Sequence, residues 1–112
     1  MFHEVNSEFD LLIEELENVT RVMDEAREVY LLKEASYENL VAQCIQEGKL
    51  LNPKATQTDL NARAETKGFN MKIELVHAEC NFKRLTNRLK FLRDRLDALK
   101  EKSYNLRKEA TL

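Results

Sequence analysis

Apolar residues recur at alternating steps of three and four over residues 75–106, and this spacing constrains the fold more than any other feature of the chain. The alternation gives a period of about 3.5 residues, the a/d pattern of a left-handed coiled coil. Ser103 interrupts it once. We call the positions on this stripe the seam of helix 2; its members are Leu75, Ala78, Phe82, Leu85, Leu89, Leu92, Leu96, Leu99 and Leu106. The pattern predicts one long helix that needs an apolar partner helix.

The N-terminal half carries a second seam of the same kind. Its members are Phe9, Leu12, Leu16, Val19, Met23, Ala26, Tyr30, Tyr37, Leu40 and Cys44, with Lys33 as the polar exception. Ser7 and Asp10 form a candidate capping box, and Gly48 is a candidate C-terminal cap. Asn52-Pro53 disfavours helix and marks a reversal, and Thr56 is a candidate cap for the second helix. We therefore predict helix 1 over residues 8–47, a turn over 48–57 and helix 2 over 58–109.

These elements predict an all-α fold: one domain, residues 1–112, in which two helices pair as an antiparallel coiled-coil hairpin. A reversal near Pro53 places Tyr30 near Leu75 and makes Lys33 and Glu74 an ion pair. The same register sets Glu8 and Glu15 opposite Arg88, Arg95 and Lys102. Gly68 lies inside helix 2, where glycine costs about 1 kcal/mol relative to alanine. We expect a close contact or a kink there, and we expect Leu50 and Leu51 to fold over the hairpin tip.

A two-helix hairpin buries little surface, yet the chain has more apolar stripes than two helices can cover. A second stripe on helix 2 lies outside its seam, and the end of helix 2 overhangs helix 1 in the predicted register. Val22, Val29, Leu31 and Leu32 widen helix 1 similarly. We therefore predict a self-associating hairpin, whose interface residues are Phe69, Ile73, Val76, Cys80, Tyr104 and Leu106.

Charge is divided unequally between the two halves of the chain. Residues 1–48 hold twelve acids and three bases, a net charge of −9, whereas residues 49–112 hold fifteen bases and eight acids, a net charge of +7. Such a split points to a polyanion partner. The candidate nucleic-acid-binding residues are Arg88, Arg93, Arg95, Lys100, Lys102, Arg107 and Lys108. The alternative is that acids of helix 1 and of neighbouring subunits neutralise these bases.

The same residues argue against several other classes of protein. No apolar run approaches the roughly 18 to 20 residues of a membrane span, and the first residues do not resemble a signal peptide. We therefore expect a cytoplasmic protein. Cys44 and Cys80 are isolated, so we expect no metal, and the sequence has no phosphate-binding loop, so we expect no cofactor. His77 is more plausibly an interface residue than a catalytic one, and extended helices provide no cleft; we expect no enzyme activity.

The chain resembles the short helical-hairpin proteins encoded in the recombination gene clusters of tailed phages and prophages. The resemblance is carried by residues 30–40, 47–49, 58–64 and 85–100. In size, helix order and basic second helix the chain is also loosely similar to the phage recombination mediator UvsY. That resemblance implies an oligomer that binds single-stranded DNA and helps to load a recombinase. The chain also resembles helical host-nuclease inhibitors of the Gam type.

Two functional hypotheses follow. The first is a non-enzymatic phage accessory of DNA metabolism that binds single-stranded DNA and mediates recombination, with a recombinase or a single-strand-binding protein as a possible partner. The second is a protein–protein interaction module, such as a scaffold, an assembly chaperone or an inhibitor of a host factor.

Overall fold

The protein is all-helical, as the periodicity predicts. A computed structural model describes residues 2–111, with the side chains at positions 2, 3, 5 and 111 excepted. Its three helices are α1 (Phe2–Leu51), α2 (Gln57–Lys67) and α3 (Phe69–Thr111), and no β-strand occurs in this part of the chain.

Helix α1 is longer at both ends than the predicted 8–47. It begins at Phe2 rather than after Ser7, and it continues through Gly48 to Leu51. Gly48 is buried and does not adopt the left-handed conformation of a C-terminal cap. A Cβ added there would lie 2.8 Å from Leu60 Cδ2, so the absence of a side chain at Gly48 allows α1 to pack closely against α2. The predicted C-terminal cap at Gly48 is wrong: the helix continues through this residue, which lets α1 approach α2.

The turn is correspondingly shorter than predicted. The Asn52 N–H donates to Gly48 O at 2.9 Å, and α2 begins at Gln57. Thr56 is the N-cap of α2: its Oγ1 accepts a hydrogen bond of 3.2 Å from the Asp59 N–H, which confirms the predicted cap. The side chains of Leu50 and Leu51 are 79% and 73% exposed, so the expectation that they fold over the tip is wrong.

Gly68 divides the predicted second helix into α2 and α3. It is the C-cap of α2, and its N–H donates to Ala64 O at 2.8 Å while its own carbonyl accepts from the Lys72 N–H. A Cβ at Gly68 would lie 3.1 Å from Tyr37 Cε2 and 3.4 Å from Leu40 Cδ2. The expected close contact is confirmed, and the predicted single helix is divided here into α2 and α3.

Contacts divide the chain into two compact units. Unit 1 comprises residues up to Glu25 together with those from Lys83 onward, and unit 2 is Ala26–Phe82. The core of unit 1 is Leu12, Leu92 and Leu99, against which other seam residues pack: Phe9, Leu16, Val19, Leu96 and Leu106. The buried apolar residues of unit 2 are Ala26, Cys44, Leu60, Ala64 and Leu75.

One of the predicted interface residues, Leu106, lies in the core of unit 1 instead. Leu106 was expected to overhang helix 1 without an intrachain partner, but it is half-buried and packs against the Leu12, Leu92 and Leu99 cluster. The predicted overhang assumed that helix 1 begins near residue 8, whereas α1 is helical from Phe2. We therefore assign Leu106 to the core of its own unit.

Within each unit, ion pairs join α1 to α3 as the register predicts. In unit 2, Lys33 Nζ lies 3.3 Å from Glu74 Oε2, and in unit 1 Arg88 Nη2 pairs with Glu15 Oε1. Exposed pairs of this kind contribute roughly 0.2 to 1 kcal/mol and mainly select one register. The ring of Tyr30 stacks on that of Phe82 at a centroid distance of 6.0 Å, a contact that the register did not predict.

Candidate nucleic-acid and interface surfaces

All seven bases predicted to bind nucleic acid lie on α3 in unit 1, and all are exposed. They differ in how far the chain itself engages them. Arg88 pairs with Glu15, and its Cζ lies 5.5 Å from the centroid of the Phe91 ring. Lys108 also has a contact of its own within the chain. Arg88 and Lys108 are therefore the least available to an external anion.

Three of the remaining bases form what we call the basic edge: Arg93, Lys100 and Arg107. They recur every seven residues, which aligns them along one side of a coiled-coil helix. None of the ion pairs found among the described residues involves them. Asp97, four residues after Arg93, is an acid on the same side of α3. The basic edge therefore presents cations that are not neutralised by α1.

Two positions of α1 that the register sets beside the basic edge, Ile13 and Thr20, are uncharged. Ile13 is 38% exposed, and the Thr20 hydroxyl donates to Leu16 O of its own helix at 2.7 Å. Neither position supplies a carboxylate; the nearest one on that side of α1 is Glu17, between them.

Arg95 and Lys102 lie on the opposite side of the seam, toward the acids of α1. Arg95 lines a small groove of about 140 Å³ together with Glu8, Glu15 and apolar seam residues. No ion pair to Arg95 or Lys102 is found within residues 2–111. The surroundings of Arg95 nevertheless include the carboxylates of Glu8 and Glu15, which weaken its attraction for an external anion.

An acidic face of α1 was not anticipated from the sequence. Leu11 is 68% exposed, and it shares this face with Glu14, Glu15, Glu17, Asn18 and Arg21, all on the same helix. The signal available in the sequence was the Leu11-Leu12 pair, because a helical seam can bury only one of two adjacent leucines. With three carboxylates and one guanidinium, this face has the wrong charge for nucleic acid.

The second apolar stripe of α3 lies outside the core, as predicted. Phe69, Ile73 and Val76 are 63%, 40% and 42% exposed, and Cys80 is an exposed thiol. Their spacing of four, three and four residues places them on one face of the helix, in unit 2. On α1, Val29, Leu31 and Leu32 are exposed as well. Tyr104, the remaining predicted interface residue, is 65% exposed and belongs to unit 1.

One ionisable side chain has a shifted pKa. The Tyr30 hydroxyl donates a 2.8 Å hydrogen bond to Glu34 Oε2, and this bond raises the pKa of Tyr30. Burial and the negative charges of Glu34, Glu79 and Glu38 raise it further. Tyr30 therefore keeps its proton well into the alkaline range, where it stays a neutral donor at the junction of α1 with α3.

No protein-family model, curated protein or solved structure matches this chain. Among the helices that the structure describes, none combines the length and the apolar composition needed to cross a bilayer. No cluster of three or more histidine, cysteine, aspartate or glutamate side chains suited to a metal ion occurs in the described part of the chain.

Proposed function

We propose that this protein is a non-enzymatic accessory of phage DNA metabolism that binds single-stranded DNA through α3 and assists recombination. The observation that carries the proposal is the basic edge: three exposed bases, Arg93, Lys100 and Arg107, share one side of a helix without a partner from α1. Arg95 and Lys102 flank this site. The link to phages and to recombination depends on the resemblance of the sequence to small hairpin proteins of phage recombination clusters.

The spacing of the basic edge suits a linear polyanion. Seven helical residues span roughly 10 Å, so the three cations cover about 20 Å along α3. A flexible single strand can bring successive phosphates to such a row, and each contact releases a condensed counterion. The interaction is then governed by phosphate contacts, so the affinity for DNA should decrease steeply with salt.

We further propose that the chain forms an antiparallel two-helix coiled-coil hairpin that self-associates. Three contacts within unit 2 support the opposite direction of the helices: Tyr30 meets Phe82, Lys33 meets Glu74, and Tyr37 lies 5.0 Å below Lys72 Nζ. Residue numbers rise on one helix as they fall on the other. Self-association is supported by the stripe of Phe69, Ile73 and Val76, which stays 63%, 40% and 42% exposed in the described part of the chain.

We propose that this protein acts in the cytoplasm of the host cell. The support is chemical: Cys44 is a buried free thiol and Cys80 an exposed one, and a reducing compartment preserves an exposed thiol. A recombinase or a single-strand-binding protein is the class of partner that an accessory of this kind would serve.

The first prediction is that the protein binds single-stranded DNA in a salt-dependent manner. With three phosphate contacts for each chain, the slope of log affinity against log salt should be about −2, because single strands contribute about −0.7 per contact. Affinity should therefore decrease by about 20-fold between about 50 and 200 mM salt. Fluorescence anisotropy of a labelled oligothymidylate measures both quantities. Absence of binding at the lower salt concentration would refute the proposal.

The second prediction concerns self-association. Light scattering should give a mass well above the 13.1 kDa of one chain, and Ile73→Asp should lower that mass while circular dichroism remains helical. The reason is that a carboxylate in the centre of the exposed stripe would be buried without a partner in an assembly. Leu50→Asp is the control, since Leu50 is 79% exposed and lies outside the stripe. A monomeric wild-type protein at micromolar concentration would contradict the proposal.

A protein–protein interaction module is the second candidate function. The acidic face around Leu11 favours it, because an exposed leucine flanked by Glu14 and Glu17 can pack against an amphipathic basic helix of another protein. Such a scaffold, assembly chaperone or inhibitor of a host factor would not bind oligonucleotide in the anisotropy experiment. The DNA titration therefore separates the two classes.

A further inference from the structure

Tyr104 lies beside the basic edge on α3. It follows Lys100 by four residues and precedes Arg107 by three, and both spacings bring side chains together on one face of a helix. Its side chain is 65% exposed. No hydrogen bond, ring contact or cation contact joins it to another residue in the described part of the chain. The result is an exposed aromatic ring one helical turn from each of two cations, with the carboxylate of Glu101 three residues before it.

The other aromatic residues of α3 are engaged differently. The ring of Phe82 stacks on Tyr30 with an interplanar angle of 1°, and Arg88 lies over the ring of Phe91. Phe69 is exposed, but it belongs to the apolar stripe, and Lys72 on its side of the helix lies over Tyr37. Tyr104 is therefore the aromatic residue of α3 that combines an uncovered face with nearby cations.

We propose that Tyr104 is a stacking site for an unpaired nucleobase, with Lys100 and Arg107 holding the adjoining phosphates. This inference rests on the proposed binding of single-stranded DNA and deepens it. Bases in a duplex are already stacked on their neighbours, whereas those of a single strand have faces available to an aromatic ring. Tyr104 therefore gives this site its preference for single strands over duplexes and over phosphate chains without bases.

The test compares two labelled probes of equal length and charge: an oligothymidylate of about 30 nucleotides and an abasic oligomer with the same backbone. The wild-type protein should bind the oligothymidylate more tightly. Tyr104→Ala should weaken that binding by about 5- to 150-fold, the range for the loss of one stacked base, and should leave the abasic affinity unchanged. Tyr104→Phe, which keeps the ring, should preserve the preference. Phe91→Ala is the matched control, because it removes an exposed aromatic that Arg88 already covers.

Three results would overturn this assignment, and they differ in what else they refute. If the wild-type protein binds neither probe, both the proposed function and the stacking site fail. If it binds both probes equally and Tyr104→Ala has no effect, DNA binding stands and the stacking site fails. If Tyr104→Ala lowers the mass measured by light scattering, the ring belongs to a subunit contact instead.

Discussion

Replacing Arg93, Lys100 and Arg107 together with glutamine is expected to weaken binding to single-stranded DNA by at least about 100-fold at about 50 mM salt. The three cations account for the proposed phosphate contacts, and their removal should also flatten the salt dependence from about −2 toward zero. Glutamine has a helix propensity close to those of arginine and lysine, so α3 should remain helical. Anisotropy titrations at several salt concentrations measure the affinity and the slope, and circular dichroism checks the fold.

A charge-matched variant makes this result specific to the basic edge. Lys49, Lys54 and Lys67 are exposed and lie in unit 2, so their joint replacement by glutamine removes the same charge from outside the proposed site. That variant should keep most of the affinity and the wild-type slope. If the two triple variants lose affinity equally, the binding reflects net charge alone, and no site on α3 needs to be invoked.

The second large effect concerns stability: Leu92→Ala should lower the free energy of unfolding by about 2 to 5 kcal/mol. Leu92 is 1% exposed and is the central leucine of the unit 1 core, so truncation loses buried apolar surface and leaves a cavity among leucines. A loss of this size is a large fraction of the roughly 5 to 15 kcal/mol that stabilises an ordinary domain. Urea unfolding at a fixed protein concentration, followed by circular dichroism, measures it.

Leu50→Ala is the control for this substitution. It removes the same atoms from a side chain that is 79% exposed, so its effect should stay within about 0.5 kcal/mol. Equal destabilisation by the two variants would mean that Leu92 is not in the core described for unit 1.

The helical seams were predictable because their residues repeat at a period that only a helix satisfies. The pairs Lys33–Glu74 and Glu15–Arg88 followed from the seams and the position of Pro53, since a reversal at a known residue fixes which positions face each other. The cap at Thr56 was predictable as well, because a hydroxyl and an acid at this spacing satisfy the first amides of a helix.

The errors concern glycine and the ends of helices, where local sequence is ambiguous. Glycine is a common residue at helix ends, but Gly48 lies inside α1, where it packs closely against Leu60 of α2. Gly68 was expected to give either a close contact or a kink, and the structure shows the close contact; the sequence could not decide between them because the crowding comes from Tyr37. The acidic face at Leu11 was missed because its residues are individually ordinary for a solvated helix surface.

The candidate site was predictable in part. The register sets Arg88 and Arg95 opposite the acids Glu8 and Glu15, and the structure confirms the pair of Arg88 with Glu15. The contact of Arg88 with the Phe91 ring could not be predicted, because it depends on side-chain positions that periodicity does not specify.

The close contact at Gly48 also affects how the chain can fold. Gly48 and Leu60 are separated by few residues, whereas Glu15 and Arg88 are 73 residues apart along the chain. The entropy lost on closing a loop increases with its length, so the contact at Gly48 is the less costly one to form first. Once it has formed, the contacts of Tyr37 with Lys72 and of Lys33 with Glu74 each close only a short additional segment of unit 2. Unit 2 can then fold outward from the turn by successive local steps.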